Sequence, residues 1–204
     1  MQEPIENLDP ENMLGYIDAL PDDLEKAWWL GHQLPLPIAE QPTAVLICGM
    51  GGSAIGGVFL GSYLRDRCPV PIITHRDYGL PAWAEGPRTL VICSSHSGNT
   101  EETLSSFAEA LKRGCSVLAL TTGGKLWEQA GANGVPAWVF EHEGQPRTAI
   151  PFGFGMLLGL LNRLGLAGFV DEEVADAVAV KRGKREDITA VCGVESKRGR
   201  RLTR

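Results

Sequence analysis

Two short segments rich in glycine and hydroxyl side chains hold the residues best suited to chemistry in this sequence. The first segment, residues 49–57, contains Gly51, Gly52 and Ser53. Glycines permit positive φ angles and a close backbone approach to a ligand, and a following helix N-terminus offers unpaired N–H groups and the positive end of a dipole. The segment is therefore predicted to hold an anion such as phosphate, or the sugar that carries it.

The second segment, residues 94–103, places Ser95, Ser97 and Thr100 close to the predicted start of a helix. A phosphate there would find hydroxyl donors and backbone amides together, and the acidic residues after Thr100 would favour the helix dipole. Serine and threonine at a helix start are often only caps, and this alternative stays open. Two such segments in one chain favour a shared phosphate pocket.

A dinucleotide site is the competing hypothesis for the first segment. Gly49, Gly51 and Ala54 satisfy the spacing of a dinucleotide-binding fingerprint, which would make the chain a nicotinamide-dependent oxidoreductase. The acidic residue that such a fold uses for the ribose fits poorly, because Asp77 lies 28 residues beyond Gly49 rather than about 20. A dinucleotide fold also has no need of a second hydroxyl-rich loop. A third possibility is that the glycines serve only close packing of a strand and a helix.

An alternation of strands and helices is predicted to position both segments. Five short runs rich in valine and isoleucine have the nearly continuous apolar character of strands buried on both faces of a parallel sheet. These runs are residues 44–48, 72–74, 89–93, 116–120 and 137–140. Helical patterns lie between and after them, at residues 53–64, 100–112, 125–130 and 150–164. We therefore expect an α/β fold, a three-layer αβα sandwich around a five-stranded parallel sheet, with ligands bound beyond the C-terminal ends of the strands.

The chain is predicted to consist of three parts. Residues 1–40 form an arm of two short helices, at 10–20 and 22–34. Residues 41–168 form the α/β domain, and residues 169–204 form a helix fragment followed by a disordered basic tail. The arm is expected to pack on the domain.

The basic tail could mark a nucleic-acid-binding protein. Residues 181–204 carry 9 Lys and Arg against 3 Asp and Glu, whereas residues 1–180 carry 10 against 22. Glycines interrupt this tail, however, and it contains no aromatic residue for stacking on bases. We therefore expect no nucleic-acid partner.

Composition and cysteine usage indicate an ordinary globular protein. The 204 residues carry a net charge of −6 and 44% hydrophobic residues. The longest apolar-rich segment, residues 150–161, is too short to span a bilayer, so no membrane partner is expected. The five cysteines lack the close pairing of a zinc site and are interpreted as reduced thiols. A cytoplasmic location is the resulting prediction.

Three segments together resemble the sugar isomerase (SIS) domain of the bifunctional phosphoglucose/phosphomannose isomerases. They are residues 48–57, 95–103 and 144–147, and the resemblance covers roughly residues 5–170. It implies a flavodoxin-like SIS fold and an enzyme that interconverts glucose 6-phosphate or mannose 6-phosphate with fructose 6-phosphate. The implied reaction uses no metal, nucleotide or other cofactor and proceeds through ring opening and a cis-enediol.

The resemblance also implies roles for individual residues. Gly51, Gly52 and Ser53 lie in the glycine loop beside the sugar; Ser95, Ser97 and Thr100 bind the phosphate; Arg147 stabilises the enediolate. His96 stands where the family usually has tyrosine.

Arg147 also makes sense on its own chemistry. It follows the fifth predicted strand, so it lies at the same sheet edge as both loops. Its permanently charged guanidinium could stabilise negative charge that develops on a sugar oxygen. A surface ion pair with Glu141 or Glu143 is the alternative.

The residues that move the proton are expected to lie elsewhere. The resemblance implies that a glutamate base and a ring-opening histidine come from a second SIS domain, the histidine reaching across a dimer. No second pair of such loops follows residue 165, so we expect a truncated N-terminal SIS half, homodimeric in the full-length form and poorly active alone. A non-catalytic SIS module that senses a sugar phosphate is the alternative. Weaker candidates for a base within the chain are Glu101, Glu102, Glu141, Glu143, His75, His96 and His142.

Overall fold

A single parallel sheet of five strands forms the centre of the molecule. The computed structural model describes residues 9–38 and 40–191, with side chains of the last helix described to residue 184. The strands are β1 (Ala44–Cys48), β2 (Ile72–His75), β3 (Thr89–Ser95), β4 (Ser116–Thr121) and β5 (Ala137–Val139), in the order β2-β1-β3-β4-β5. All five predicted strands are confirmed, with ends that differ from the predicted ones by at most two residues.

Six α-helices and a short 3-10 turn complete the described part of the chain. They are α1 (Met13–Gln33), α2 (Gly51–Tyr63), α3 (Glu101–Lys112), α4 (Gly124–Ala132), the 3-10 turn (Pro146–Thr148), α5 (Ile150–Arg163) and α6 (Asp171–Val191). One apolar core joins α1, α2 and α5 to one face of the sheet, and a second joins α3 and α4 to the other. The predicted three-layer αβα sandwich is therefore confirmed.

The strands are apolar throughout because both faces of the sheet are covered. In β1, Val45 and Ile47 face one helical layer, whereas Leu46 and Cys48 face the other, and none of the four is more than 1% exposed. Alternate residues of a strand point to opposite faces, so burial on both sides requires a continuous apolar run.

The register of the sheet brings the strand ends to one edge. Cys48 at the end of β1 lies opposite both His75 of β2 and Cys93 of β3. Ser95 at the end of β3 lies opposite Thr121 of β4. The loops that follow β1, β3 and β4 therefore open side by side.

The N-terminal arm contains one helix where the sequence predicts two. Helix α1 continues through Pro21, which is buried within it. A proline inside a helix removes one hydrogen bond, but packing can compensate for it. Here Gly31 lies so close to α5 that a Cβ on it would come within 2.5 Å of the Met156 carbonyl oxygen. The Asp9 carboxylate accepts hydrogen bonds from two amides at the start of the helix, as expected of a capping residue.

Helix α6 extends to Val191, into the segment from residue 181 for which the sequence predicts disorder. Arg182 accounts for part of this order, because its guanidinium pairs with Asp22 at 2.6 Å and with Glu25 at 2.7 Å on α1. The prediction for residues 192–204 lies outside the described residues. No helix in the described ranges is long and apolar enough to cross a membrane.

Candidate active site

The first loop leaves β1 through Gly49 and enters α2 at Gly51, whose φ is +51°. A Cβ atom on Gly49 would lie 2.7 Å from the Ser94 carbonyl oxygen, so glycine here lets the loop lie against the end of β3. The N-terminus of α2 has no side-chain cap. Its first amides can therefore point at a ligand, as the glycine content of the loop predicts.

In the second loop, the hydroxyls of Ser95 and Thr100 contact each other rather than the amides at the start of the helix. Ser95, which is 1% exposed, has its Oγ 2.9 Å from Oγ1 of Thr100. Thr100 is the N-cap residue of α3, yet its side chain makes no capping hydrogen bond. Ser97 is exposed and its Oγ accepts the Asn99 amide at 3.2 Å, which leaves the hydroxyl proton for another acceptor. The Thr100 side chain therefore does not act as a helix cap, as the alternative interpretation would require.

Ser53 connects the two loops. Its Oγ accepts the backbone N–H of His96 at 3.0 Å, and its carbonyl oxygen accepts the hydroxyl of Ser94 at 3.2 Å. A hydroxyl that accepts from an amide keeps its own proton for donation. Ser53 is thus held in place by the second loop and can donate to a ligand between them.

A third loop, between β4 and α4, supports the second, although none of its residues is among the predicted site residues. The amide and the hydroxyl of Thr122 both donate to the carbonyl oxygen of His96, at 3.1 and 2.7 Å. Gly98 has a φ of +66°, and a Cβ on it would lie 1.8 Å from the Gly123 carbonyl oxygen. The run of two threonines and two glycines directly after a predicted strand, residues 121–124, was the signal for this loop.

Arg147 lies in the 3-10 turn, and its backbone touches the first loop. A Cβ on Gly52 would lie 2.8 Å from the carbonyl carbon of Pro146 and 2.9 Å from the amide nitrogen of Arg147. Within the described part of the chain, the exposed Arg147 side chain forms no salt bridge with Glu141 or Glu143. The alternative ion pair is therefore wrong for this structure, and the guanidinium is available to a ligand.

Two of the histidines meet beside these loops. Nε2 of His96 lies 3.0 Å from Nδ1 of His142, and Nε2 of His142 lies 3.2 Å from Oγ1 of Thr148. Burial lowers the pKa of both imidazoles below the ordinary value, and the neighbouring His142 lowers the pKa of His96 further. His75 lies apart at the end of β2 with its Nε2 buried, and His32 on α1 contacts Asn162.

The acidic candidates for a base are less well placed. Glu101 and Glu102 lie in the first turn of α3, and the Glu101 carboxylate accepts the Tyr78 hydroxyl at 3.3 Å. Glu141 and Glu143 are exposed. No group of three or more His, Cys, Asp or Glu side chains within the described ranges could hold a metal ion.

The strand order separates the phosphate and dinucleotide hypotheses. In the dinucleotide fold the third strand lies beyond the second, whereas here β3 pairs directly with β1, which is the flavodoxin-like order. The Asp77 carboxylate accepts the amide of its neighbour Tyr78 at 2.7 Å, a local turn contact. The fold therefore favours the phosphosugar hypothesis over the nicotinamide one.

Comparisons with known proteins agree with this choice. No model of a protein family matches the chain. The chain is 41% identical over 185 residues to a bifunctional phosphoglucose/phosphomannose isomerase of Caldicellulosiruptor bescii, covering 90% of this chain and 54% of that protein. It is 42% identical over 123 residues to the protein of the same name from Aquifex aeolicus, covering 60% and 37%.

Solved structures show the same fold. The crystal structure of a proposed phosphosugar isomerase from Clostridium difficile 630 matches with a TM-score of 0.62 and 14% identity, over 86% of this chain and 52% of that one. The chain spans about half the length of the curated relatives named above. Over the residues that it shares with those relatives, the chain is similar in sequence to the bifunctional phosphoglucose/phosphomannose isomerases.

Proposed function

We propose that the chain binds a hexose 6-phosphate and forms the substrate-binding half of an aldose–ketose isomerase. The substrates would be glucose 6-phosphate or mannose 6-phosphate and fructose 6-phosphate, in line with the names of its relatives. One observation carries the proposal. The hydroxyls of Ser95 and Thr100 lie 2.9 Å apart at a helix N-terminus that has no side-chain cap.

The second loop would hold the phosphate. Either hydroxyl of the Ser95–Thr100 pair can donate to the other, so one proton of the pair remains for an anion, and Ser97 supplies a further donor. Hydrogen bonds to a charged phosphate are about twice as strong as those between neutral groups. The dipole of α3 adds to this attraction.

The first loop and the 3-10 turn would hold the sugar. Gly51 and Gly52 allow the backbone to approach the ligand, and Ser53 offers the proton that its contact with His96 leaves unused. Arg147 is placed by the contact of its backbone with Gly52. Its guanidinium would stabilise the negative charge of the enediolate, since a fixed cation acts where charge develops in the transition state.

The transfer of a proton between C1 and C2 needs a base as well. Within the described residues, no carboxylate contacts Arg147 or the hydroxyl groups of Ser95, Ser97 and Thr100. We therefore expect the isolated polypeptide of 204 residues to bind substrate and to turn it over slowly.

Residues 41–168 would be the SIS domain and residues 1–40 its arm, with a homodimer formed in the full-length enzyme. The four described cysteines are free thiols, which supports a reducing location such as the cytoplasm.

Calorimetric titration with fructose 6-phosphate and with 6-phosphogluconate tests the proposal. Binding of both ligands is expected at micromolar to millimolar concentration. Because 6-phosphogluconate cannot be isomerised, its titration measures binding alone. The double variant Ser95→Ala/Thr100→Val removes both partners of one hydrogen bond, so its fold should survive while its affinity falls by about tenfold or more. Ser62→Ala, about 14 Å further along α2 than Ser53, is the matched control. Absence of binding by the unchanged chain at millimolar ligand would refute the proposal.

A further inference from the structure

The carbonyl oxygens at residues 95–98 of the second loop all accept hydrogen bonds. That of Ser95 accepts the amide of Gly98 at 3.2 Å. That of His96 accepts the amide and the hydroxyl of Thr122, at 3.1 and 2.7 Å, and that of Gly98 accepts the amide of Leu126 at 2.9 Å. A carbonyl oxygen only accepts, so it repels an anion, and the donors from the third loop and α4 draw it to their own side.

The carbonyl oxygen of Ser97 depends instead on the side chain of Asn99. Nδ2 of Asn99 donates to it at 2.9 Å, while Oδ1 of Asn99 accepts the amide of Lys125 at 3.2 Å. The backbone amide of Asn99 donates to Oγ of Ser97 at 3.2 Å. One side chain thus joins a residue that is proposed to bind phosphate to the first turn of α4.

The two partners fix the orientation of the Asn99 side-chain amide. The backbone N–H of Lys125 can only donate, so it must meet the oxygen, and the carbonyl of Ser97 can only accept, so it must meet the nitrogen. Aspartate has the same shape and could accept from Lys125, but it would set a carboxylate against the Ser97 carbonyl oxygen. The arrangement therefore selects asparagine.

Close backbone packing surrounds Asn99 on the side of α4. Gly124 has a φ of +71°, and a Cβ on it would collide with the carbonyl oxygen of Ser97 and lie 3.1 Å from both Oδ1 and Nδ2 of Asn99. A Cβ on Gly98 would collide in turn with the carbonyl oxygen of Gly123. The Asn99 side chain is therefore packed between the two loops, although the residue as a whole is exposed.

These contacts leave the donors of the second loop for an anion. Helix α3 has no side-chain cap at Thr100, so its first amides are not occupied by that side chain. The Oγ of Ser97 accepts from Asn99 and keeps its own proton for donation. Both polar groups of Ser97 are thus held by Asn99, the hydroxyl through its backbone and the carbonyl through its side chain.

We propose that Asn99 is a positioning residue of the phosphate site and that it acts through Ser97. Its side chain holds the Ser97 carbonyl away from the phosphate and anchors the loop to α4, which keeps the Ser97 hydroxyl in place before a ligand arrives. This assignment rests on the proposed function. Pre-ordering of this kind raises affinity because the loop loses less freedom on binding. Asn99 itself does not touch the phosphate.

Hydrogen exchange provides a test that needs no ligand. Asn99→Ala removes the acceptor of the Lys125 amide, so this amide should exchange about tenfold faster in the variant. The neighbouring Leu126 amide, which donates to the carbonyl of Gly98, is the internal reference and should keep its rate. A Lys125 amide that exchanges equally slowly in both proteins would overturn the anchor, whatever the protein binds.

Calorimetric titration with 6-phosphogluconate tests the positioning role. Asn99→Ala should weaken binding by about tenfold, as expected from loss of these hydrogen bonds, and Asn99→Asp should weaken it further because it adds negative charge. Asn133→Ala is the matched control, since Nδ2 of Asn133 donates to the carbonyl of Gln129 at 2.8 Å at the other end of α4. Urea unfolding should show similar small losses of stability for both alanine variants.

The control separates positioning from a merely structural role. Asn133→Ala should bind 6-phosphogluconate like the unchanged protein, and an equal loss of affinity in the two alanine variants would overturn the assignment. Unaltered affinity in Asn99→Ala would overturn it as well and leave the proposed function standing. Failure of the unchanged protein to bind any hexose phosphate would instead remove the proposed function, while the exchange of the Lys125 amide would still report on the anchor.

A double-mutant cycle tests whether Asn99 acts through Ser97. If it does, Asn99→Ala should weaken binding by only about threefold in a Ser97→Ala background, because residues that act together are not additive. The same loss of affinity in both backgrounds would mean that Asn99 contributes by another route, and it would overturn the assignment.

Discussion

Gly52 lies so close to Arg147 that a Cβ atom on Gly52 would be 2.9 Å from the amide nitrogen of Arg147. Such an approach is shorter than real side chains tolerate, so the first loop and the 3-10 turn are in direct backbone contact. These two segments follow β1 and β5, which are separated in the sheet by β3 and β4. Their contact places the backbone of Arg147, the one cationic residue proposed for the site, against the glycine loop.

Gly52→Ala should push the turn away from the loop. Forcing a methyl group into this contact should lower the free energy of unfolding by about 1–3 kcal/mol. Urea unfolding measures this change, and calorimetry should show weaker binding of fructose 6-phosphate. Gly131→Ala is the matched control, because its Cβ would meet nothing within 4 Å and alanine favours a helix. Equal stability of both variants would contradict the contact.

Gly98→Ala should disrupt the phosphate loop more than its backbone angle alone explains. Gly98 and Gly134 have the same φ of +66°, but a Cβ on Gly98 would lie 1.8 Å from a carbonyl oxygen, whereas one on Gly134 would meet nothing. The variant Gly134→Ala should lower the free energy of unfolding by about 1 kcal/mol, as expected for alanine in this region. Gly98→Ala should lower the free energy of unfolding by more than that and abolish binding of 6-phosphogluconate. Thermal unfolding and calorimetry of the pair measure the difference.

Arg147→Gln should affect the intermediate more than the substrate. A cation placed for developing charge contributes mainly when that charge is present. The affinity for a hydroxamate that mimics the enediolate should fall by about a hundredfold, and that for fructose 6-phosphate by far less. Competition calorimetry measures both. An equal loss for the two ligands would indicate that Arg147 binds phosphate instead.

The neutral histidine pair predicts a stability loss in mild acid. The pKa values of His96 and His142 are lowered in the folded protein, so the unfolded chain takes up protons at these sites at higher pH than the folded chain does. Stability must therefore fall as the pH drops through about 6.5, and the loss is complete below the folded pKa values. Urea unfolding at pH 7.5 and 5.5 should show a larger drop for the unchanged protein than for His96→Gln/His142→Gln. A smaller drop for the unchanged protein than for the double variant would contradict the lowered pKa values of the two histidines.

The sequence was a good guide to the fold because its signals are local. Each strand is a short apolar run, and both phosphate loops carry glycine or hydroxyl residues at the end of such a run. The break predicted in α1 at Pro21 is wrong because packing on α5 overrides the local preference of proline. Local patterns cannot show such packing.

The site was less predictable than the fold. His96 and His142 are 46 residues apart, and their pairing depends on how two loops meet in space. The support of the second loop by Thr122 likewise depends on a neighbouring strand. The roles of Ser53, Ser95 and Arg147 stay predictions that the variants above can test.

The close packing of α1 on α5 has a mechanical consequence. Glycines at 31 and 159 let the two helices touch backbone to backbone, and α5 begins directly after the turn that carries Arg147. At its other end, α1 places the ring of Tyr16 5.3 Å from that of His142. The arm, the turn that carries Arg147 and the histidine pair are thus joined by continuous packing contacts. A change in the position of α1 would therefore displace the backbone of Arg147 and the ring of His142 together.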